Sequence, residues 1–258
     1  MMRRILVIGI GAGNPEHVTV QAVAALNQTE VFFLVDKGAD KDSLVAVRKE
    51  ICERYIVDKA GYRLVEIPDP PRDRGAAAYQ GAVEDWHERR AEVFERAIDE
   101  HLTGDGCGAF LVWGDPMLYD STLRVIDRML ARGVVDFDVD VIPGITSVQV
   151  LASAHRLPIN RIGEPVLITT GRRLAAGMPQ GLDSAVVMLD AGLSCKDFDD
   201  PDLYIYWGAY LGTPDEVLMS GRLVDVAAAI DRAKRDLRSR HGWIMDTYLL
   251  RREWPARG

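Results

Sequence analysis

The chain has 258 residues, 48% of them hydrophobic and 27% charged, and a net charge of −8. That length supplies enough apolar surface for one large or two modest cores without a disulfide or metal staple. The acidic balance argues against nonspecific nucleic-acid binding, which needs a basic footprint. No apolar run approaches the ~20 residues of a membrane-spanning helix.

The N-terminal Met1-Met2-Arg3-Arg4 followed by Ile5–Ile10 superficially resembles a signal peptide. Gly9, Gly11 and Gly13 break the run, and no small-residue cleavage site follows, so a first strand is expected instead. Residues 4–8 predict a parallel strand buried on both faces. A helix is expected from about Glu16 to Asn27, with Val18, Val23 and Leu26 along one side. Val31–Val35 is expected to be a strand, and Ser43 to cap a helix with Leu44, Val47 and Ile51 at helical spacing. This alternation predicts an open α/β sheet. Residues 66–75 contain Pro68, Pro70 and Pro71 and are excluded from a helix interior. A long charged helix follows from about Ala76 to Leu102, then a strand at Phe110–Trp113, an amphipathic helix at Ser121–Arg132 and a strand at Asp138–Ile142, stopped by Pro143-Gly144.

Beyond that stop, Pro165–Thr169, Ala185–Leu189, Leu203–Trp207 and Trp243–Leu250 read as short strands. One clear late helix spans Arg222–Leu237, with Leu223, Val226, Ile230 and Leu237 facing inward. The expected division is a mostly parallel α/β domain over 1–143 and a mixed α/β domain over 144–258. Cys52, Cys107 and Cys195 form no CxxC pair, as for reduced thiols in a cytosol. The five histidines, His17, His87, His101, His155 and His241, show no HxxxH or HxH spacing, so no metal site is expected.

Four turns carry the chemical signal. Gly9-Ile-Gly11-Ala-Gly13-Asn14-Pro15 lies between a strand and a helix, where backbone and ligand approach closely. It fails the GxGxxG dinucleotide pattern, because residue 14 is Asn and residue 16 is Glu, although Asp36 ends the second strand as a ribose-binding acid would. The Gly-Lys-Ser/Thr ending of a P-loop is absent. Trp113-Gly114-Asp115-Pro116-Met117-Leu118-Tyr119 follows a strand at the ligand-binding end of such sheets, where Asp115 either meets a ligand or caps the helix near Ser121. Pro143-Gly144-Ile145-Thr146-Ser147 opens a helix whose hydroxyls either hold a ligand or cap it, capping being the role expected of at least one. In Gly212-Thr213-Pro214-Asp215-Glu216, Thr213 reads as an N-cap, Pro214 as a first helical residue and Glu216 as the far side of a capping box.

In this order, and followed by Gly221-Arg222-Leu223, the motifs resemble the tetrapyrrole methylases from Ile5 to about Leu249. The resemblance implies two α/β domains with S-adenosylmethionine in the cleft between them, the first on the substrate side and the second completing the cofactor site. It also implies a cytoplasmic homodimer acting on a small tetrapyrrole, with no nucleic-acid or membrane partner. Carried over residue by residue, the cofactor is expected at Gly114, Asp115, Leu118, Thr146, Ser147, Leu189 and Trp243. The substrate is expected at Gly11, Ala12 and Gly13. Many members have Pro where this chain has Ala12, and glycine where it has Asp190. The stretch from Pro68 through Arg90 and the tail Gly242–Arg252 resemble the subgroup that methylates ring carbon 1 of a precorrin and releases an acetyl group as acetate.

An activated methyl group needs in-line alignment more than a base, which accounts for the lack of a triad or metal cluster. A substrate rich in carboxylates needs cationic donors, and Arg72, Arg74, Arg89, Arg90, Arg172 and Arg173 are available. Arg89 and Arg90 also read as a solvated, salt-bridged helix face, whereas Arg172 and Arg173, after a strand and a glycine, lean towards function. Deacetylation calls for a base and oxyanion donors; His17, Tyr119, Asp190 and Asp246 are the candidates. The rival readings are the same fold acting on another precorrin, on RNA or on protein, a nicotinamide oxidoreductase, or a non-catalytic S-adenosylmethionine-binding protein.

Overall fold

The computed structural model describes residues 2–36, 42–71 and 79–252, and the side chains of all of these except residues 36, 42–44, 79 and 80. The Ser43 cap, the Asp36 carboxylate, Arg72 and Arg74 therefore lie outside the described residues. The chain divides into two compact units, Met1–Ile145 and Thr146–Gly258.

The first unit is a wholly parallel five-stranded sheet. Its strands are β1 (Arg3–Gly9), β2 (Val31–Asp36), β3 (Arg63–Pro68), β4 (Cys107–Val112) and β5 (Phe137–Ile142), in the order β3-β2-β4-β1-β5. Every residue of β4 is buried, as suits a strand covered on both faces. The helices α1 (Val20–Leu26) and α2 (Asp42–Tyr55) place Ala22, Leu26, Ile51 and Cys52 in one core with Leu6, Ile8 and Phe32. The helices α3 (Tyr79–His101) and α4 (Thr122–Arg132) place Phe94, Ile98, Val125 and Met129 in a separate core with Ile5, Val7, Phe33 and Phe110. Alternate residues of β1 feed the two cores, as the two-residue side-chain period requires.

One expectation needs correction here. The helix from Glu16 splits into a 3₁₀ turn, Pro15–His17, and α1, which starts only at Val20. Asn14 accepts from Glu16 N–H and Thr19 accepts from Ala22 N–H, so two side chains compete with helical backbone bonding. The buried face is Ala22, Ala25 and Leu26. The described part of the proline-rich stretch, residues 66–71, is not helical, as expected: it begins inside β3, an edge strand, where Pro68 at the end is tolerated.

The second unit opens with α5 (Ser147–His155) and continues with β6 (Leu167–Thr170), the short helix α6 (Gly171–Leu174), β7 (Ser184–Met188), β8 (Leu203–Ala209), β9 (Val217–Arg222), α7 (Leu223–His241) and β10 (Asp246–Arg252). Its sheet runs β6-β7-β10-β8-β9, with β6 and β7 parallel and the remaining pairs antiparallel. Thr247 pairs with Met188 and Asp246 with Ala209, so the ends of β6, β7 and β8 and the start of β10 share one edge. The capping box at Thr213–Glu216 begins no helix. Thr213 Oγ1 donates to Tyr210 O, Gly212 N–H donates to Glu216 Oε2 at 2.8 Å, and the chain turns into β9. A short side chain and a carboxylate serve a hairpin turn as well as a cap.

Candidate functional site

In the first unit, β1 is followed by α1 on one face of the sheet, while its neighbour β4 is followed by α4 on the other. The carboxyl ends of these two strands therefore form a topological switch point, where open α/β sheets bind ligands. Three glycines make that point tight. A Cβ on Gly144 would lie 2.8 Å from Gly9 Cα and closer still to the Gly114 carbonyl oxygen. Gly11 and Gly114 bridge the two turns, with Gly114 N–H donating to Gly11 O at 2.8 Å. Gly11, Gly13 and Gly114 have φ of 81°, 139° and 70°, a region that favours glycine.

Asp115 does not cap α4. One carboxylate oxygen accepts from Met117 N–H and the other from Gly144 N–H, both at 2.8 Å, so the acid fastens the β4 turn to the β5 turn. The Thr122 N–H at the start of α4 goes to Asp120 instead. Tyr119 has φ 53°, is 44% exposed, and lies beside exposed Met117. Leu118 donates its N–H to Asp115 O. Gly11, Ala12 and Gly13 are buried. His17 is half-buried, and its Nδ1 has no hydrogen-bond partner among the described residues. Its Cβ occupies the space that a side chain at Gly11 would need.

The reading of Arg90 as part of a solvated face is overturned. It is 3% exposed, ion-paired to Asp69 at 2.9 Å, bonded to Ser121 Oγ and stacked 4.4 Å above the Trp86 ring. Burial pulls its pKa down, and the neighbouring carboxylates Asp69 and Asp120 oppose that shift. It anchors the end of β3 to α3 and α4. Arg89, one residue earlier, is exposed.

In the second unit Thr146 caps α5: its hydroxyl accepts from Gln149 N–H, and the Gln149 side chain accepts from Thr146 N–H. The Ser147 hydroxyl lies 3.2 Å from that of Thr247. Leu189, just past β7, has φ 53° and is 67% exposed. Trp243 meets the Tyr210 ring edge-on, and its carbonyl accepts from the Tyr210 hydroxyl. Arg172 and Arg173 are exposed on α6.

The two acids weighed as bases are deeply engaged. Asp190 accepts from the Tyr248 hydroxyl, Ser194 N–H, the Ser194 hydroxyl and Gly192 N–H. Burial pushes its pKa up, but these donors outweigh burial and hold it below the ordinary value. Asp246 accepts from Trp207 Nε1 and is ion-paired with buried Lys234. Lys234 escaped the sequence reading, yet it occupies the inward stripe 223, 227, 230, 234, 237 of α7. A charged residue in a buried stripe marks a partner to be sought.

A parallel sheet with glycine turns at its switch point, followed in sequence by a mixed sheet, defines a two-unit α/β fold, one shared by the solved structures of a uroporphyrin-III C-methyltransferase from Thermus thermophilus and of a cobalt precorrin-4 methyltransferase at TM-scores of 0.59 and 0.63. The chain belongs to the Tetrapyrrole (Corrin/Porphyrin) Methylases, whose family model matches residues 4–227. It is 51% identical over 251 residues to the precorrin-6A synthase [deacetylating] of Sinorhizobium sp, covering 97% of this chain and 96% of that protein. The crystal structure of a cobalamin-synthesis-related protein, CobF, from Corynebacterium diphtheriae superposes with a TM-score of 0.85 at 42% identity, covering 98% and 99% of the two chains. A uroporphyrin-III C-methyltransferase from Thermus thermophilus, solved with S-adenosylhomocysteine, shares the fold at TM-score 0.57 and 22% identity over 96% of each chain.

Proposed function

We propose that this chain is an S-adenosylmethionine-dependent C-methyltransferase of corrin-ring synthesis that methylates carbon 1 of precorrin-5 and releases acetate. The observation that carries the reading is the end-to-end 51% identity with a deacetylating precorrin-6A synthase. The residues present suit the cofactor. Exposed Leu189, just past the carboxyl end of β7, offers apolar surface to a purine ring. The turn at Gly114–Leu118 and the hydroxyls of Thr146 and Ser147 offer polar contacts, and the chain near Trp243 completes the set. When bound, the sulfonium supplies a methyl group already activated for transfer.

What the protein adds is position. Asp115 and the three packed glycines fix the turns after β1, β4 and β5, beside the expected substrate floor at Gly11, Ala12 and Gly13. Arg172 and Arg173 hold substrate carboxylates. Acetate release requires water to add to the acetyl carbonyl while a nearby group takes its proton; the bond between acetyl carbon and ring carbon then breaks, acetate leaves, and the electron pair stays with the ring system. Among the four candidates His17 fills that role best, because its ring keeps an unpartnered nitrogen beside the switch point. Both oxygens of Asp190 and the Oδ2 of Asp246 are taken up by structure. The protein works as a cytoplasmic homodimer on a small tetrapyrrole, without a nucleic-acid or membrane partner; no helix among the described residues is long and apolar enough to cross a membrane.

The test is mass spectrometry of products formed from purified precorrin-5 and methyl-labelled donor. One labelled methyl gained with loss of acetate is the expected result. A methyl gained with the acetyl group retained would refute the assignment.

A further inference from the structure

The cluster around Lys234 does more than fill a core. Its Nζ donates to the main-chain carbonyl of Asp190 at 2.7 Å and pairs with the Asp246 carboxylate, itself held by Trp207 Nε1. One turn further along α7, Arg238 donates to the next carbonyl, Ala191 O, at 3.0 Å. The Asp190 side chain gathers Gly192, Ser194 and Tyr248, and it fills the space beside Gly171 where any Cβ would collide, at the start of α6. Three segments at one edge of the sheet are thereby tied to α7: the start of α6 with Arg172 and Arg173, the loop from Leu189 to Ser194, and the approach to β10 at Asp246. Leu189 and Leu193 in that loop sit at positive φ, a conformation an unsupported chain would leave.

We infer that Lys234 is a positioning residue for the methyl donor: it holds the Leu189 loop and the chain before β10 in their ligand-ready arrangement before any ligand arrives. The inference rests on the proposed cofactor contacts at Leu189 and Trp243. A preorganised loop loses less freedom on binding, so the cluster acts on donor affinity rather than on the transfer step. Lys234 touches neither the donor nor the reacting carbon.

The experiment uses Lys234→Met combined with Asp246→Asn, which removes the ion pair without leaving one buried charge alone. Calorimetric titration with S-adenosylhomocysteine is expected to show affinity weakened roughly tenfold. KM for the donor should rise in parallel while kcat at saturation stays within about twofold of the parent. Amide exchange at Gly192 and Ser194 should quicken. A folded double variant that binds S-adenosylhomocysteine as the parent does would overturn the inference, whatever its melting temperature. If the double variant does not fold, Ser194→Ala decides, since it removes one Asp190 donor from the same loop: weakening of about threefold supports the inference, and unchanged affinity overturns it. Leu189→Asp separates the two levels of the reading. If it abolishes binding while the Lys234 variants do not, only the positioning role fails; if it too leaves binding intact, the cofactor contact at Leu189 fails.

Discussion

Replacing Gly144 by alanine tests whether the switch point is as tight as the structure makes it. The added Cβ would lie 2.8 Å from Gly9 Cα, with the Gly114 carbonyl oxygen nearer still. Carbon atoms pack at about 3.5–4.0 Å, so the walls must separate by at least about 0.7 Å. Those walls are main chain, joined by the Gly11–Gly114 bridge, and cannot turn aside as a flexible side chain would. Overpacking of this kind costs about 1–3 kcal/mol. Moving Gly144 also strains its N–H bond to Asp115, a charge-assisted bond whose loss costs about 1.5–3 kcal/mol. The sum is about 2.5–6 kcal/mol, which lowers the melting temperature of a domain this size by roughly 5–24 °C. A shift of that kind at reacting groups costs up to roughly 10²-fold in turnover. Gly81, on α3 with open space around it, is the control: Gly81→Ala should stabilise by about 0.5–1 kcal/mol and leave turnover unchanged. Melting curves and methyl transfer measured on both variants decide the matter. A Gly144→Ala protein that melts and turns over as the parent does would show that the three turns are not packed as described.

Asp190→Asn should lower the melting temperature at neutral pH, with the difference from the parent fading in acid. The Asp190 carboxyl has its folded pKa held below the ordinary 3.8, so its contribution is complete above that value and is lost as pH falls towards the depressed one; a constant difference down to pH ~2 would contradict this. Burial pushes the Cys52 and Cys195 thiols up to about 12, so a thiol reagent at pH ~8 should modify neither until denaturant is added, and rapid labelling of the native protein would count against the structure. Arg90→Met should cost about 3–5 kcal/mol by leaving the Asp69 carboxylate without its partner, whereas the double change with Asp69→Asn should recover much of that loss in denaturant melts.

Where elements could be read from sequence and where they could not follows from what each pattern encodes. The strand expected at Phe110–Trp113 lies at Cys107–Val112 and the helix expected at Ser121–Arg132 lies at Thr122–Arg132; both were legible because burial on two faces and burial on one leave different apolar periods. Edge strands leave weaker marks: β3 ends in a proline and β9 alternates half-buried with exposed residues. Neither carries the apolar run that betrayed β4. The helix start moved from Glu16 to Val20 because two capping side chains, Asn14 and Thr19, offered rival registers. Thr213-Pro214-Asp215-Glu216 shows the reverse error, since the bonds that would begin a helix close a hairpin instead.

The candidate site was legible as a set of turns but not as a set of roles. A carboxylate in a sequence shows its charge, and only the fold shows how many donors it has already met. Asp115 has two backbone N–H groups, Asp190 four donors, and Asp246 an indole and an ammonium. Asp190, engaged on both oxygens, is a poor proton acceptor, because taking a proton means giving up bonds made to the charged form. Transfer of an activated methyl group asks for no base and demands accurate placement, so carboxylates that hold backbone are of more use to that step than free ones. Acetate release is the step that does want a base. We propose His17 for it, since its buried Nδ1 has no hydrogen-bond partner among the described residues.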